Sequence, residues 1–159
     1  LLQAAVLQIV ADEGPEALLE TGVALLEHRP TSLVRQTLRI LLERAAGRTA
    51  GAGMTPVEKA DLIARCDIFS GLGIDDLVAL VGIADDARTV CAEARVCRVY
   101  GTDRPRVAGI EAVWEEAGNE AGVAAGEACL VFDVAALRQL VVTRASLAMR
   151  CVRFAGGMA

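Results

Sequence analysis

The sequence predicts an α+β fold in which helices flank a short β region. Three observations point to this class. Up to about residue 47, and again over 56–87, apolar residues recur three or four positions apart, which is the period of an amphipathic helix. From Thr89 to Phe132 the chain is rich in β-branched and aromatic residues and is punctuated by glycines. Helical spacing returns after Asp133.

The first 47 residues predict three short antiparallel helices joined by tight turns. Gly14-Pro15 separates the first two and Arg29-Pro30 the next two, because proline is tolerated at the first turn of a helix but not in its interior. Thr31 or Ser32 can cap the third helix. Each helix carries one apolar face: Leu2, Val6 and Ile9; Leu19, Val23 and Leu26; Val34, Leu38 and Leu41.

The segments G-P-E-A-L-L and S-L-V-R-Q-T-L-R-I-L-L resemble parts of a HEAT-type helical repeat. The resemblance implies a solenoid fragment whose apolar faces need neighbouring repeats to cover them. The alternative is three ordinary amphipathic helices that pack on the domain that follows, since the helical period alone does not separate the two.

Three glycines within seven residues, in G-R-T-A-G-A-G over 47–53, mark the clearest break in the chain. We therefore predict a helical segment over 1–47 and a second domain over 54–155. Thr55 and Glu58 have the spacing of a capping box with Pro56 at the first helical position, which predicts a helix from Pro56 to about Arg65.

The segment D-I-F-S-G-L over 67–72 predicts a turn that plugs the core. Phe69 and Leu72 are expected to be buried while Gly71 makes the bend. A second helix is predicted from Ile74 to Ala87, with Asp75 and Asp76 in its first turn, where the helix dipole favours negative charge.

The β region predicts four or five short strands, because 89–132 spans only 44 positions. We place them at 89–91, 95–100, 106–115, 122–124 and 127–132. Asp133 is then expected to cap a helix that runs through Val142, and a last helix is expected over 144–154.

The order of these elements resembles the cyclic-nucleotide-binding-like domain. The likeness rests on T-P-V-E-K, D-I-F-S-G-L and D-D-L-V-A-L at the front and on L-V-F-D-V-A-A-L-R-Q-L after the strands, and it covers about 54–154. It implies entrance helices, a β-roll and closing helices. Since members of this family have eight strands, the resemblance implies a reduced β-roll here.

The resemblance also implies where a cyclic nucleotide would bind. Family members hold the ligand in a cassette similar to G-E-x-A-L followed by Pro-Arg-x-Ala, in which Glu binds the ribose and Arg the phosphate. Gly126 and Glu127, in G-E-A-C-L, match the first half and are the candidate nucleotide contacts. Arg144 is the nearest candidate for the second half, but it lies 17 positions further on. The alternative for Glu127 is a solvated acid at the start of the last strand.

Composition excludes several classes of function. A net charge of −5, from 16 basic and 21 acidic residues, argues against nucleic-acid binding, and no apolar run is long enough to insert into a membrane. No catalytic or metal-binding motif is present, and His28 is the only histidine, so we expect neither an enzyme nor a metal site. Five scattered cysteines predict a reducing cytoplasm.

Three functional hypotheses follow. The first is a non-catalytic regulatory or interaction module in which nucleotide binding is weak or lost, and which contacts other parts of a larger parent or a protein partner. Because the sequence begins at Leu1, we expect such a parent, and an upstream region would allow a location at the cytoplasmic face of a membrane. The second is a working switch that binds cyclic AMP or cyclic GMP. The third is a structural helical-repeat scaffold, which predicts that 54–159 fails to fold without 1–47.

Overall fold

The computed structural model of the chain describes residues 1–48, 53–86, 96–101, 105–113 and 129–157. Seven α-helices are found in these ranges: α1 (Leu2–Glu13), α2 (Pro15–Glu27), α3 (Ser32–Ala45), α4 (Pro56–Arg65), α5 (Ile74–Ile83), α6 (Val134–Thr143) and α7 (Ala145–Gly157). The strands are β1 (Ala84–Asp86), β2 (Val96–Tyr100), β3 (Arg106–Ala108) and β4 (Cys129–Asp133). The predicted α+β class is confirmed. None of the described helices is long and apolar enough to span a membrane.

The chain divides into two compact units, Leu1–Lys59 and Ala60–Ala159. The division falls within α4, which begins in the first unit and ends in the second. The ranges predicted for the two domains, 1–47 and 54–155, stay predictions.

The first unit has its core where α1, α2 and α3 meet. Leu7, Leu18 and Val34 are buried there, with Leu38 and Leu41 completing the cluster. Gly22 lets α2 approach α3 closely, since a Cβ at this position would lie 2.7 Å from Leu38 Cδ1. The predicted apolar face of the third helix is therefore confirmed.

The apolar faces predicted for the first two helices are exposed instead. Leu2 is 81% exposed, Ile9 65% and Val23 57%. The core side of α1 and α2 is formed by a different stripe, in which small residues such as Ala4 and Gly22 alternate with leucines. Small residues allow close helix packing, so the larger apolar side chains of the other stripe are left facing outward.

The start of α4 forms the capping box that the sequence predicts. The amide of Thr55 donates to Glu58 Oε2 at 2.7 Å, and the amide of Glu58 donates to Thr55 Oγ1 at 3.2 Å. Arg44, near the end of α3, forms a bidentate ion pair with the same carboxylate at 2.7 and 2.8 Å. The Thr55 hydroxyl also donates to Gln8 Oε1 of α1 at 3.1 Å. These bonds fasten the start of α4 to α1 and α3.

The second unit contains a four-stranded antiparallel sheet in the order β1-β4-β2-β3. Cys97 lies opposite Phe132 and Val99 opposite Leu130, and all four side chains are fully buried on one face of the sheet. Phe69 packs on this face, with its ring centroid 6.2 Å from that of Phe132. The predicted plug is confirmed for Phe69, and Gly71 makes the bend with a φ of 71°. Leu72, also expected to be buried, is only half-buried.

Two predicted elements end earlier than the sequence suggests. The helix predicted to reach Ala87 ends at Ile83, because Ala84–Asp86 instead pair with β4. The strand predicted over 106–115 ends at Ala108, since Gly109 turns the backbone with a φ of 77° and a 3₁₀ turn, Ile110–Val113, follows. The strands predicted at 89–91 and 122–124 lie outside the described residues.

The C-terminal helices begin close to the positions predicted for them. The carboxylate of Asp133 accepts a hydrogen bond from the amide of Ala136 at 2.9 Å, so this side chain caps α6 as predicted. At the cap predicted for the third helix, Thr31 takes the N-cap position of α3 but makes no side-chain capping bond.

Candidate functional site

Asp76, in the first turn of α5, binds the junction between α6 and α7. Arg144 Nη1 donates to Asp76 Oδ1 at 2.9 Å and also to the backbone carbonyl of Asp75 at 3.2 Å. The hydroxyl of Ser146 donates to Asp76 Oδ2. Both carboxylate oxygens are thus used, although the partners are about 70 positions away in sequence.

The electrostatics of this cluster favour the ionised carboxylate. The hydrogen bond from Ser146, followed by the hydrogen bond and charge of Arg144, holds the pKa of Asp76 below its usual value, against an opposing effect of burial. The Asp76 side chain is only 13% exposed, whereas that of Arg144 is 35% exposed. The pair therefore lies at the edge of the unit, partly shielded from water.

A further contact attaches α7 to the turn that precedes α5. Arg150 Nη2 donates to the carbonyl of Gly71 at 3.3 Å. A Cβ at Gly71 would lie 2.8 Å from the same Nη2 atom, so this guanidinium lies directly over the turn. We call Asp76, Arg144, Ser146, Arg150 and the Gly71 carbonyl the helix clamp. It joins the start of α5 and the turn before it to the C-terminal helices.

An open cleft of about 270 Å³ lies at the other end of α7. Its walls come from the turn after α4, the start of β3 and α7, through Asp67, Ile68, Pro105, Arg106, Val107 and Phe154. Asp67 and Arg106 are exposed, and Phe154 is half-buried. The cleft thus combines one acid, one base and an aromatic ring. It shares both α7 and the 67–72 turn with the helix clamp.

The predicted nucleotide contacts, Gly126 and Glu127, lie outside the described residues. Arg144, the residue expected to be nearest to a phosphate-binding role, is bound to Asp76. Asp76 itself was expected only to complement the dipole of its helix. Its pairing with Arg144 has no local signal in the sequence, because the two residues are 68 positions apart and belong to different helices.

Reactive side chains are few among the described residues. The thiols of Cys66 and Cys151 are buried, and burial raises the pKa of Cys66 to about 12 and that of Cys151 to about 11. Within the described ranges, no group of three or more Cys, His, Asp or Glu side chains is arranged to hold a metal ion.

No family model matches the chain, and neither a curated protein nor a solved structure matches it.

Proposed function

We propose that this chain is a non-catalytic regulatory or interaction module, a reduced relative of the cyclic-nucleotide-binding-like domain in which nucleotide binding is weak or lost. The described four-stranded sheet between helices is, in this proposal, what remains of the β-roll, and the first three helices are a HEAT-like fragment. Its partners are other parts of a larger parent or a second protein, in the cytoplasm.

The observation that carries the proposal is the engagement of Arg144. A cyclic phosphate needs a guanidinium or free backbone amides to balance its charge. Arg144 instead donates to Asp76 at 2.9 Å and to the Asp75 carbonyl at 3.2 Å. To bind a phosphate it would have to break this ion pair, and the Asp76 carboxylate, which is 13% exposed, would lose its charged partner.

The helix clamp also supplies a regulatory element. The C-terminal helices are fixed to α5 and to the preceding turn by three polar side chains, Arg144, Ser146 and Arg150. A partner that binds α7 and competes for these bonds would release the C-terminal helices from α5.

A second candidate is a working ligand switch, and the cleft beside α7 favours it. Arg106 is exposed there, and a guanidinium is a natural partner for an anion. Phe154 offers a ring against which a base could stack. A ligand in this cleft would act on the same helix that the clamp holds.

Calorimetric titration of the full chain with cyclic AMP and cyclic GMP separates the two candidates. The first candidate predicts no saturable heat at ligand concentrations up to about 1 mM. A dissociation constant of about 1 mM corresponds to a binding free energy of only about −4 kcal/mol. Saturable heat that disappears in Glu127→Ala or in Arg106→Gln would overturn it in favour of the switch. Glu20→Ala, an exposed acid on α2, is the matched control for the loss of one charge.

A further inference from the structure

The outer surface of α1 and α2 carries two apolar stripes. Each stripe has three side chains with four-then-three spacing, which places them along one side of a helix. Their exposures run from 43% at Val6 to 81% at Leu2. The members are Leu2, Val6 and Ile9 on α1, and Leu19, Val23 and Leu26 on α2.

The amount of exposed apolar surface is large for two short helices. All six side chains are at least 43% exposed, and exposed apolar residues that are grouped rather than scattered singly mark interaction sites. Seven positions separate the ends of each stripe, so each is about 10 Å long at 1.5 Å per residue, or about two helical turns. A helix of a few turns matches this length.

The charges of the two helices are all of one sign. Between Leu2 and Glu27 there are five acidic residues and no Lys or Arg. All five are exposed, and none has an ion-pair partner among the described residues. They are Asp12, Glu13, Glu16, Glu20 and Glu27.

The acids lie beside the apolar stripes. Glu13 follows Ile9 by four positions, and Glu20 and Glu27 lie three before and four after Val23, so each is one helical turn from an exposed apolar side chain. A docked helix that covers the stripes would meet carboxylates at its margins.

From this pattern we propose that the α1–α2 surface binds an amphipathic helix of a partner protein, one with an apolar face bordered by Lys or Arg. The apolar stripes supply the contact area, and the acids select the sign of the partner's charge and speed its association. A second copy of this surface is disfavoured because it would bring acids against acids. An anionic lipid surface is disfavoured for the same reason.

Fluorescence anisotropy with labelled model peptides and the full chain tests the proposal. The first peptide has 18 residues of leucine and lysine, with the leucines three and four apart. The second keeps the leucines and replaces every lysine with glutamate. The third has the composition of the first with its leucines redistributed around the helix, so that no single apolar face forms. We expect saturable binding of the first, and affinities at least about tenfold weaker for the other two.

Variants locate the binding surface. Val23→Lys is expected to weaken binding of the first peptide at least about tenfold. The substitution removes the apolar contact between Val23 and the peptide's leucines, and it adds a positive charge that repels the peptide's lysines. Val142→Lys adds the same charge at an 80% exposed position on α6 and is expected to leave the affinity within about twofold. Circular dichroism melts establish that both variants are folded.

Three outcomes would overturn the proposal. Equal affinity for the lysine and glutamate peptides would remove the role of the acids. Equal weakening by Val23→Lys and Val142→Lys would mean that binding depends on the net charge of the protein and not on the α1–α2 surface. Sedimentation over about a hundredfold range of concentration that reveals a dimer, lost in Val23→Lys, would assign the surface to a second copy of the chain. The calorimetric test of the proposed function is independent of all three.

Discussion

Replacing Asp76 with asparagine is the most direct test of the helix clamp. The substitution keeps the size of the side chain and one acceptor oxygen, but it removes the negative charge that Arg144 and Ser146 bind. Hydrogen bonds to a charged group contribute about 1.5–3 kcal/mol when shielded. Because Arg144 is 35% exposed, solvent reduces this contribution. We expect Asp76→Asn to lower the free energy of unfolding by about 1–2 kcal/mol at pH 7.

Asp75→Asn is the matched control. Both acids lie in the first turn of α5, so either substitution loses a favourable interaction with the helix dipole of about 0.3–1 kcal/mol. Asp75, however, offers only its backbone carbonyl to Arg144, and asparagine keeps that group. The difference between the two variants therefore measures the side-chain bonds of the clamp, and we expect about 1 kcal/mol.

Urea denaturation followed by far-UV circular dichroism, at pH 7 and at about pH 3, measures both effects. The pKa of Asp76 is lowered in the folded state, so its contribution is present above the ordinary value of about 3.9 and is lost as the pH falls through the folded pKa. The gap between wild type and Asp76→Asn should therefore narrow at acid pH. Equal losses in Asp75→Asn and Asp76→Asn, or a gap that does not change with pH, would refute the argument.

Three further predictions concern the cap, the core and the thiols. Glu58→Gln should cost about 1 kcal/mol at pH 7 in urea denaturation. Burial raises the pKa of Glu58, but the hydrogen bonds from Arg44 and Thr55 and the charge of Arg44 outweigh burial and leave the pKa lowered. The loss of unfolding free energy in Glu58→Gln should therefore shrink toward pH 3, and a loss that stays constant with pH would contradict this account. Phe69→Ala should cost about 3–5 kcal/mol and Phe69→Leu distinctly less, because the ring is fully buried; equal costs would speak against a packed plug. Cys66 and Cys151 should resist iodoacetamide at pH 8 until urea is added, as read by peptide mass spectrometry, and rapid native labelling would argue against their burial.

Local signals in the sequence were sufficient for the helix starts. The capping box at Thr55 and the cap at Asp133 each depend on residues three positions apart, and both form as expected. The bend at Gly71 follows from a single residue in the left-handed region of the backbone. These features are local in the chain, so the sequence pattern alone determines them.

Features set by distant partners could not be predicted in this way. Ala84–Asp86 leaves the helical pattern because β4, more than 40 positions away, offers an edge to pair with. The ion pair of Arg144 could not be predicted either, because its partner, Asp76, is on another helix. On each of α1 and α2 the sequence contains two stripes that could face a core. The stripes with Ala4 and Gly22 are the buried ones, because small residues let the helices approach each other more closely. The candidate nucleotide contacts at Gly126 and Glu127 stay predictions.

The order of the sheet has a consequence for aggregation. In the described sheet, the two outer strands, β1 and β3, are only three residues long, whereas the two inner strands have five. A short edge offers few backbone groups on which another chain could add as a strand, and β1 also carries two aspartates, which repel like-charged neighbours. Cross-β growth from this edge of the described sheet is therefore disfavoured.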